Sequence, residues 1–190
     1  MKRIIGLFFT LCTVFEYGYA QTDGAATFEQ TDKGSHLAGG TISMSGTNAN
    51  STNSFNANLN PNYGYFVANN LAIGGVLSLN YSYTKALQTN LGTLSPFVRY
   101  YFGPPKTAMF FAYGSAGGGV SNVDNQASNT NTQKTVGLFN YAVGPGFDYF
   151  VNKHVAFEAL ATFGGRKDYQ SASTGFNNSL NLLIGLQVFF

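Results

Sequence analysis

Arg99, Asp148 and Glu158 are the residues whose types and spacing could do proton or ion chemistry together. A period-2 reading of the segments that carry them turns all three to one side. Each lies within a few residues of a short turn, so one cation and two carboxylates would share one depth. Charges held there must be paired, since an isolated buried ion is costly. Two uses follow from that placement. One is a salt-bridged plug that fixes register and closes an interior; the other is a gate on a proton path.

The rest of the inventory is thin. His36 and His154 are the only histidines, and the single cysteine, Cys12, falls in the first apolar run. Two histidines without a thiol make a soft-metal site a poor expectation. Gly114-Ser115-Ala116-Gly117-Gly118-Gly119 lacks the Gly-Lys-Ser/Thr ending of a phosphate loop, and no helix pattern follows it. Strand glycine is the better reading. No catalytic residue, cofactor or metal is expected.

The elements that must position the charged trio are strands. From Phe176 to Phe190 the even positions are Phe176, Asn178, Leu180, Leu182, Ile184, Leu186, Val188 and Phe190. The odd positions are small or polar except Leu183 and Phe189. One face is apolar and the other is not. The same alternation predicts strands near Ser35–Ser45, Ser54–Val67, Leu71–Tyr83, Thr93–Gly103, Ala108–Ser121, Thr135–Phe150 and His154–Gly165. Pro61 lacks a ladder donor and predicts a local irregularity or bulge. Arg99, Asp148 and Glu158 fall on strands four, six and seven, on the face opposite the apolar one.

Composition names the solvent of the apolar face. Only 9% of residues are charged, against roughly 25% in soluble domains. Aromatics reach 16%, all Phe and Tyr. A soluble lipocalin-like barrel would need its charges outside, and too few exist. There is no basic stripe, so no nucleic-acid partner is expected. Lys2 and Arg3, the apolar run Ile4 to Phe15, and Gly18-Tyr19-Ala20 predict an export signal over 1–20, cleaved before Gln21 and passed by the Sec translocon. Residues 21–33 are then a short, loosely held tail, and 34–190 the folded domain.

Eight strands result, joined alternately by short turns and long loops. The turns are Asn69-Asn70, Gly103 to Lys106 and Val151 to Lys153; the loops are Gly46–Asn53, Lys85–Gly92, Asn122–Lys134 and Arg166–Gly175. The fold class is therefore all-β, an eight-stranded antiparallel up-and-down transmembrane barrel, with turns and both termini on the periplasmic side. Outward aromatics fall into two belts. Tyr65, Tyr100, Phe102, Phe110, Phe147, Tyr149 and Phe190 lie near the turns; Phe55, Tyr81, Tyr83, Phe163 and Phe176 lie near the loops. A barrel of this size is about filled by its own side chains, which favours the polar plug over the gate.

Two stretches carry a family resemblance. The terminal run Leu182, Ile184, Leu186, Val188 and Phe190 resembles the signal read by the outer-membrane barrel assembly machinery. Ser95-Pro96-Phe97-Val98-Arg99-Tyr100-Tyr101-Phe102 is similar to the fourth-strand segment of the small outer-membrane β-barrel domain common in Bacteroidota, akin to the OmpX and OmpA barrels. The resemblance spans roughly 35–190. It implies a multi-pass protein of the Gram-negative outer membrane, with a structural or surface-interaction role and four external loops displayed to a surface ligand. A narrow porin-like pore is the alternative. Barrel enzymes acting on lipid A need a Ser–His pair with a carboxylate near the external side, and neither histidine falls there. Lys85, Lys134, Arg166 and Lys167 are candidate contacts for lipopolysaccharide phosphates.

Overall fold

A computed structural model describes residues 30–49, 52–84, 87–103, 107–125, 133–169 and 175–190. The expected signal and the tail as far as residue 29 lie outside the described residues. Eight strands run β1 His36–Ala49, β2 Thr52–Ala68, β3 Leu71–Thr84, β4 Leu87–Phe102, β5 Ala108–Asn125, β6 Gln133–Phe150, β7 Val155–Asp168 and β8 Asn177–Phe189. Each pairs antiparallel with the next, and β8 returns to β1 to close a barrel.

Alternation decides which face each residue takes. Outward stand Ile73, Leu77 and Leu79 on β3, and Leu94, Val98 and Tyr100 on β4; all are exposed. Inward stand Ser95, Phe97, Arg99 and Tyr101, all buried. No helix among the described residues is long and apolar enough to cross a membrane.

The strands run further than the polar sequence suggested. Most of the loop expected at 85–92 belongs to β4, with Tyr83↔Gln88 through Leu79↔Gly92 in register. The loop expected at 122–134 loses its ends to β5 and β6, which pair out to Asp124↔Gln133. Likewise β1 and β2 pair to Ala49↔Thr52, and β7 extends to Asp168. Antiparallel ladders are made by the backbone, so polar residues on both faces do not end a strand once it leaves an apolar phase. The result is a barrel with a turn end and a taller hairpin end.

Pro61 keeps its place opposite Gly40 of β1. On its other side the ladder passes from Leu59↔Leu79 to Asn62↔Val76 with no pair between, as the missing donor requires. The bulge sits elsewhere, between Phe66 and Ala68.

The turn end is sealed by short local structures. Asn70 takes a left-handed backbone (φ 65°), a conformation Asn tolerates. Its N–H donates to the Thr31 carbonyl at 2.7 Å, and Thr31 Oγ1 lies 2.6 Å from its Oδ1. Gly34, at φ 100°, lets the chain turn upward into β1, and its N–H donates to the Phe66 carbonyl. Residues 30–35 are thus held against the barrel, with Thr31 and Ser35 buried. The end of the expected loose tail is ordered by these bonds.

Candidate functional site

Arg99 of β4 and Glu158 of β7 meet across the interior. Arg99 Nη1 lies 2.5 Å from Glu158 Oε2, and Nη2 lies 3.4 Å from Oε1. Arg99 is only 2% exposed. Its guanidinium sits 4.8 Å from the centre of the Phe111 ring, 5.3 Å from Phe97 and 5.6 Å from Tyr113, within range of cation–π attraction. A planar fork suits this site better than a lysine, because it can pair bidentately while stacking on rings.

Asp148 of β6 stands directly opposite Glu158 in the ladder. It does not share Arg99, however. Tyr101 Oη donates to Asp148 Oδ2 at 2.8 Å, while Asp148 Oδ1 and Arg99 Nε are buried without a hydrogen-bond partner among the described residues. The structure thus brings the three charges together as one ion pair beside a tyrosine-held carboxylate.

Closure of the interior differs from the expected polar plug. Below Arg99, toward the turn end, the barrel is packed with Leu37, Phe66, Tyr101, Met109, Phe111, Phe150 and Phe189, all buried. Their rings touch in sequence: Phe66–Tyr101 at 5.8 Å, Tyr101–Phe111 at 5.1 Å and Phe150–Phe189 at 5.0 Å between centroids. Gly146 makes room, since a Cβ there would collide with the Phe111 ring. Large apolar rings fill the bore without needing hydrogen-bond partners, whereas a polar filling of equal volume would need a complete network. The signal for this plug was present as doubled aromatics at the turn end: Tyr65-Phe66, Tyr100-Tyr101, Phe110-Phe111, Tyr149-Phe150 and Phe189-Phe190. One ring of each pair faces out and the other in.

Above Arg99 the interior is polar and open. A cavity of about 200 Å³ has Arg99, Glu158, Phe97 and Tyr113 at its floor and Asn, Ser and Thr side chains around its wall. These knit across strands: Asn58 Nδ2 donates to Ser43 Oγ at 3.1 Å, Asn60 Nδ2 to Thr41 Oγ1 at 3.2 Å, and Asn140 Nδ2 to Ser95 Oγ at 3.3 Å. The bore is therefore a cup closed at the turn end.

Both histidines stand at the turn end beside the terminal strand. Tyr63 Oη lies 2.7 Å from His36 Nδ1, and Phe190 stacks on the His36 ring at 5.5 Å and 13°. His154 Nδ1 lies 3.0 Å from the Phe189 carbonyl, close enough to donate to it. Neither lies beside the cup. Of the cations considered for phosphate contacts, Lys85 lies outside the described residues. Lys134 is a β6 residue opposite Val123. Arg166 is on β7 rather than in a loop, and its Nε pairs with Asp168 Oδ1 at 3.1 Å. Lys167 is the next β7 residue, opposite Phe139 and half-buried. In the terminal strand Leu182, Ile184 and Leu186 point outward and are exposed, with Val188 and Phe190 half-buried below them on the same face.

No protein-family model matches the chain, and no curated protein matches it in sequence. Solved structures do match. Neisserial surface protein A is similar over 82% of this chain and 96% of its own, at 17% identity and a TM-score of 0.55. The N-terminal barrel domain of Pseudomonas aeruginosa OprF matches over 83% and 98%, at 16% identity and a TM-score of 0.49. OprG of the same organism matches over 85% and 98%, at 15% identity and a TM-score of 0.49. Identities this low speak to fold alone. Closed up-and-down order, an apolar outer face and the likeness to Neisserial surface protein A give this chain the fold of the small eight-stranded outer-membrane β-barrels.

Proposed function

We propose that the protein is an integral, multi-pass barrel of a Gram-negative outer membrane with a structural or surface-interaction role. The observation that carries this reading is the inverted polarity of the wall. Leu77, Leu79, Leu94, Val98, Phe110, Leu180, Leu182 and Ile184 are exposed on the outside, while Arg99, Asp148 and Glu158 are buried within. In water so large an apolar surface would drive aggregation; in lipid it is the ordinary exterior of a transmembrane barrel. Exposed Tyr65, Tyr100 and Phe102 at the turn end, with Tyr81, Tyr83 and Phe163 toward the hairpin end, supply rings at both headgroup levels.

On this reading the turn end is periplasmic and the four hairpins β1–β2, β3–β4, β5–β6 and β7–β8 stand outside the cell. Partners are outer-membrane lipid, the barrel assembly machinery acting on the terminal strand, and a surface ligand met by the hairpins. Lys167 is the described cation placed to meet lipopolysaccharide phosphate. The Bacteroidota affinity rests on the Ser95–Phe102 segment. The aromatic plug argues against a pore, and the distance of both histidines from the cup argues against acyl-transfer chemistry.

Single cysteines at Ser128, between β5 and β6, and at Lys153, in the turn before β7, test the placement in whole cells. Labelling at 128 but not 153, with a folded band of shifted electrophoretic mobility before boiling, is the expected result. Equal labelling at both sites on protein released to the medium would refute it.

A further inference from the structure

The closing seam is only half closed. β1 and β8 pair from Leu37↔Phe189 to Ile42↔Ile184 and no further. Yet β1 continues to Ala49, fully paired to β2, and β8 begins at Asn177, fully paired to β7. Ser43–Ala49 and Asn177–Leu183 therefore face each other as two unjoined edges on the hairpin side of the barrel. A transmembrane strand needs about nine to eleven tilted residues, so the lower part of this gap falls at outer-leaflet depth. Open edges are not tolerated against lipid alone, but they are tolerated where they line an aqueous cavity. Here they do: Ser43 on one edge, and Asn181 and Leu183 on the other, line the cup.

The two sides of the gap differ in chemistry. Inside are the amides and hydroxyls of Thr41, Ser43, Asn58, Asn60 and Asn181, above an Arg99 already neutralised by Glu158. Outside are Ile42, Met44 at 66% exposure, Leu180 at 80%, Leu182 and Ile184. A polar chamber of about 200 Å³, its floor charges paired with each other, thus borders the unpaired stretch of the seam, with apolar side chains on the outer side.

We propose that this seam is a side entrance that binds a single-chain amphiphile with an uncharged, hydroxyl- or amide-bearing head. The head lies in the cup, on the Asn, Ser and Thr side chains. The chain passes between Met44 and Leu182 into the outer leaflet. A double-chain or strongly anionic lipid fits less well, since the seam is still paired at Ile42↔Ile184 just below the slot and Arg99 is already paired with Glu158. The inference rests on the membrane placement proposed above.

A monoacylglycerol carrying a diazirine on its glycerol end, placed in phosphatidylcholine vesicles with the refolded full barrel, tests it. Cross-links are expected on the cup residues Asn58, Asn60, Asn140 or Asn181. Met44 and Leu182 fall opposite each other if the register of the lower seam continues. Oxidising a Met44→Cys/Leu182→Cys variant should therefore cut cup labelling by about tenfold or more as the open fraction falls, and reduction should restore it. Cross-links confined to outward residues would overturn the proposal. So would amide exchange at Ser43–Ala49 and Asn177–Leu183 as slow throughout as in the fully paired β5–β6 ladder. A barrel that never acquires the heat-sensitive mobility shift in vesicles refutes the membrane placement itself, and the entrance with it.

Discussion

Replacing Glu158 by Leu tests the arrangement at the floor of the cup. It removes the carboxylate paired with Arg99 and leaves a guanidinium that is 2% exposed. Breaking one partner out of a buried pair costs about 3–5 kcal/mol, chiefly because the surviving charge stays desolvated. The three rings around Arg99 are present before and after, so they cancel. Asp148 offers partial rescue: its Oδ1 has no partner, and it stands across the ladder from position 158. A new charged hydrogen bond there would return about 1.5–3 kcal/mol, so a net loss of roughly 2 kcal/mol is expected. Arg99→Met strands Glu158 instead, with no second cation paired to it among the described residues, and should lose the full amount. The double variant Arg99→Met/Glu158→Leu removes both members of the pair and leaves Asp148 its Tyr101 hydrogen bond, so it should sit within about 1 kcal/mol of the parent. Urea unfolding from lipid vesicles, followed by far-ultraviolet circular dichroism because the chain has no Trp, gives the three values at constant slope. A double variant that loses the sum of the two single losses would refute the reasoning, as would a Glu158→Leu loss below about 1 kcal/mol.

The plug and the wall give further expectations. Gly146→Val should lose about 1–3 kcal/mol by the same urea assay, because the added carbons displace the Phe111 ring from a filled bore. Tyr101→Phe keeps the ring packing but removes the hydrogen bond to Asp148, so a loss of about 1–3 kcal/mol is expected. Phe190→Ser forfeits a stack on His36 worth about 0.5–1.5 kcal/mol in purified protein; in cells the heat-shifted form should fall much further if the terminal strand is the assembly signal. Purified barrel in a planar bilayer should give no discrete conductance steps, and regular steps would mean that the aromatic plug moves aside.

Wall and order were legible because a period of 2 sorts faces independently of length: Leu182, Ile184 and Leu186 point outward wherever the strand begins. Strand ends were not legible in the same way. Thr89, Asn90 and Leu91 look like loop residues because they are mostly polar, yet their ladder to β3 is complete. Above the lipid, side-chain polarity no longer reports on pairing, since water solvates either face. The charged trio was legible as inward and level, but not as to who pairs with whom. That choice depends on where Tyr101 reaches, and a strand pattern gives depth without giving the azimuth around the bore. The plug was hidden for a related reason. Phe66, Tyr101, Phe111, Phe150 and Phe189 are apolar residues on the inner face, each beside a residue that already satisfies the outer one, so the alternation alone does not mark them as filling.

The ion pair sits where the two halves of the interior meet, and that position explains how a charge is kept there at all. Below, the rings of Phe111 and Tyr101 exclude water and supply polarisable faces. Above, Arg99 and Glu158 border a cavity walled by amides and hydroxyls, so neither ion is surrounded by hydrocarbon. A pair sunk one layer deeper, among Phe66, Phe150 and Phe189, would meet rings on all sides and bear the full desolvation penalty. A pair one layer higher would be screened by the cup and would fix little. At the boundary, Arg99 is anchored by Glu158 and stacked against the plug, so it caps the aromatic layer and holds β4 to β7 across the bore. The same boundary sets the floor that any molecule entering the cup would reach.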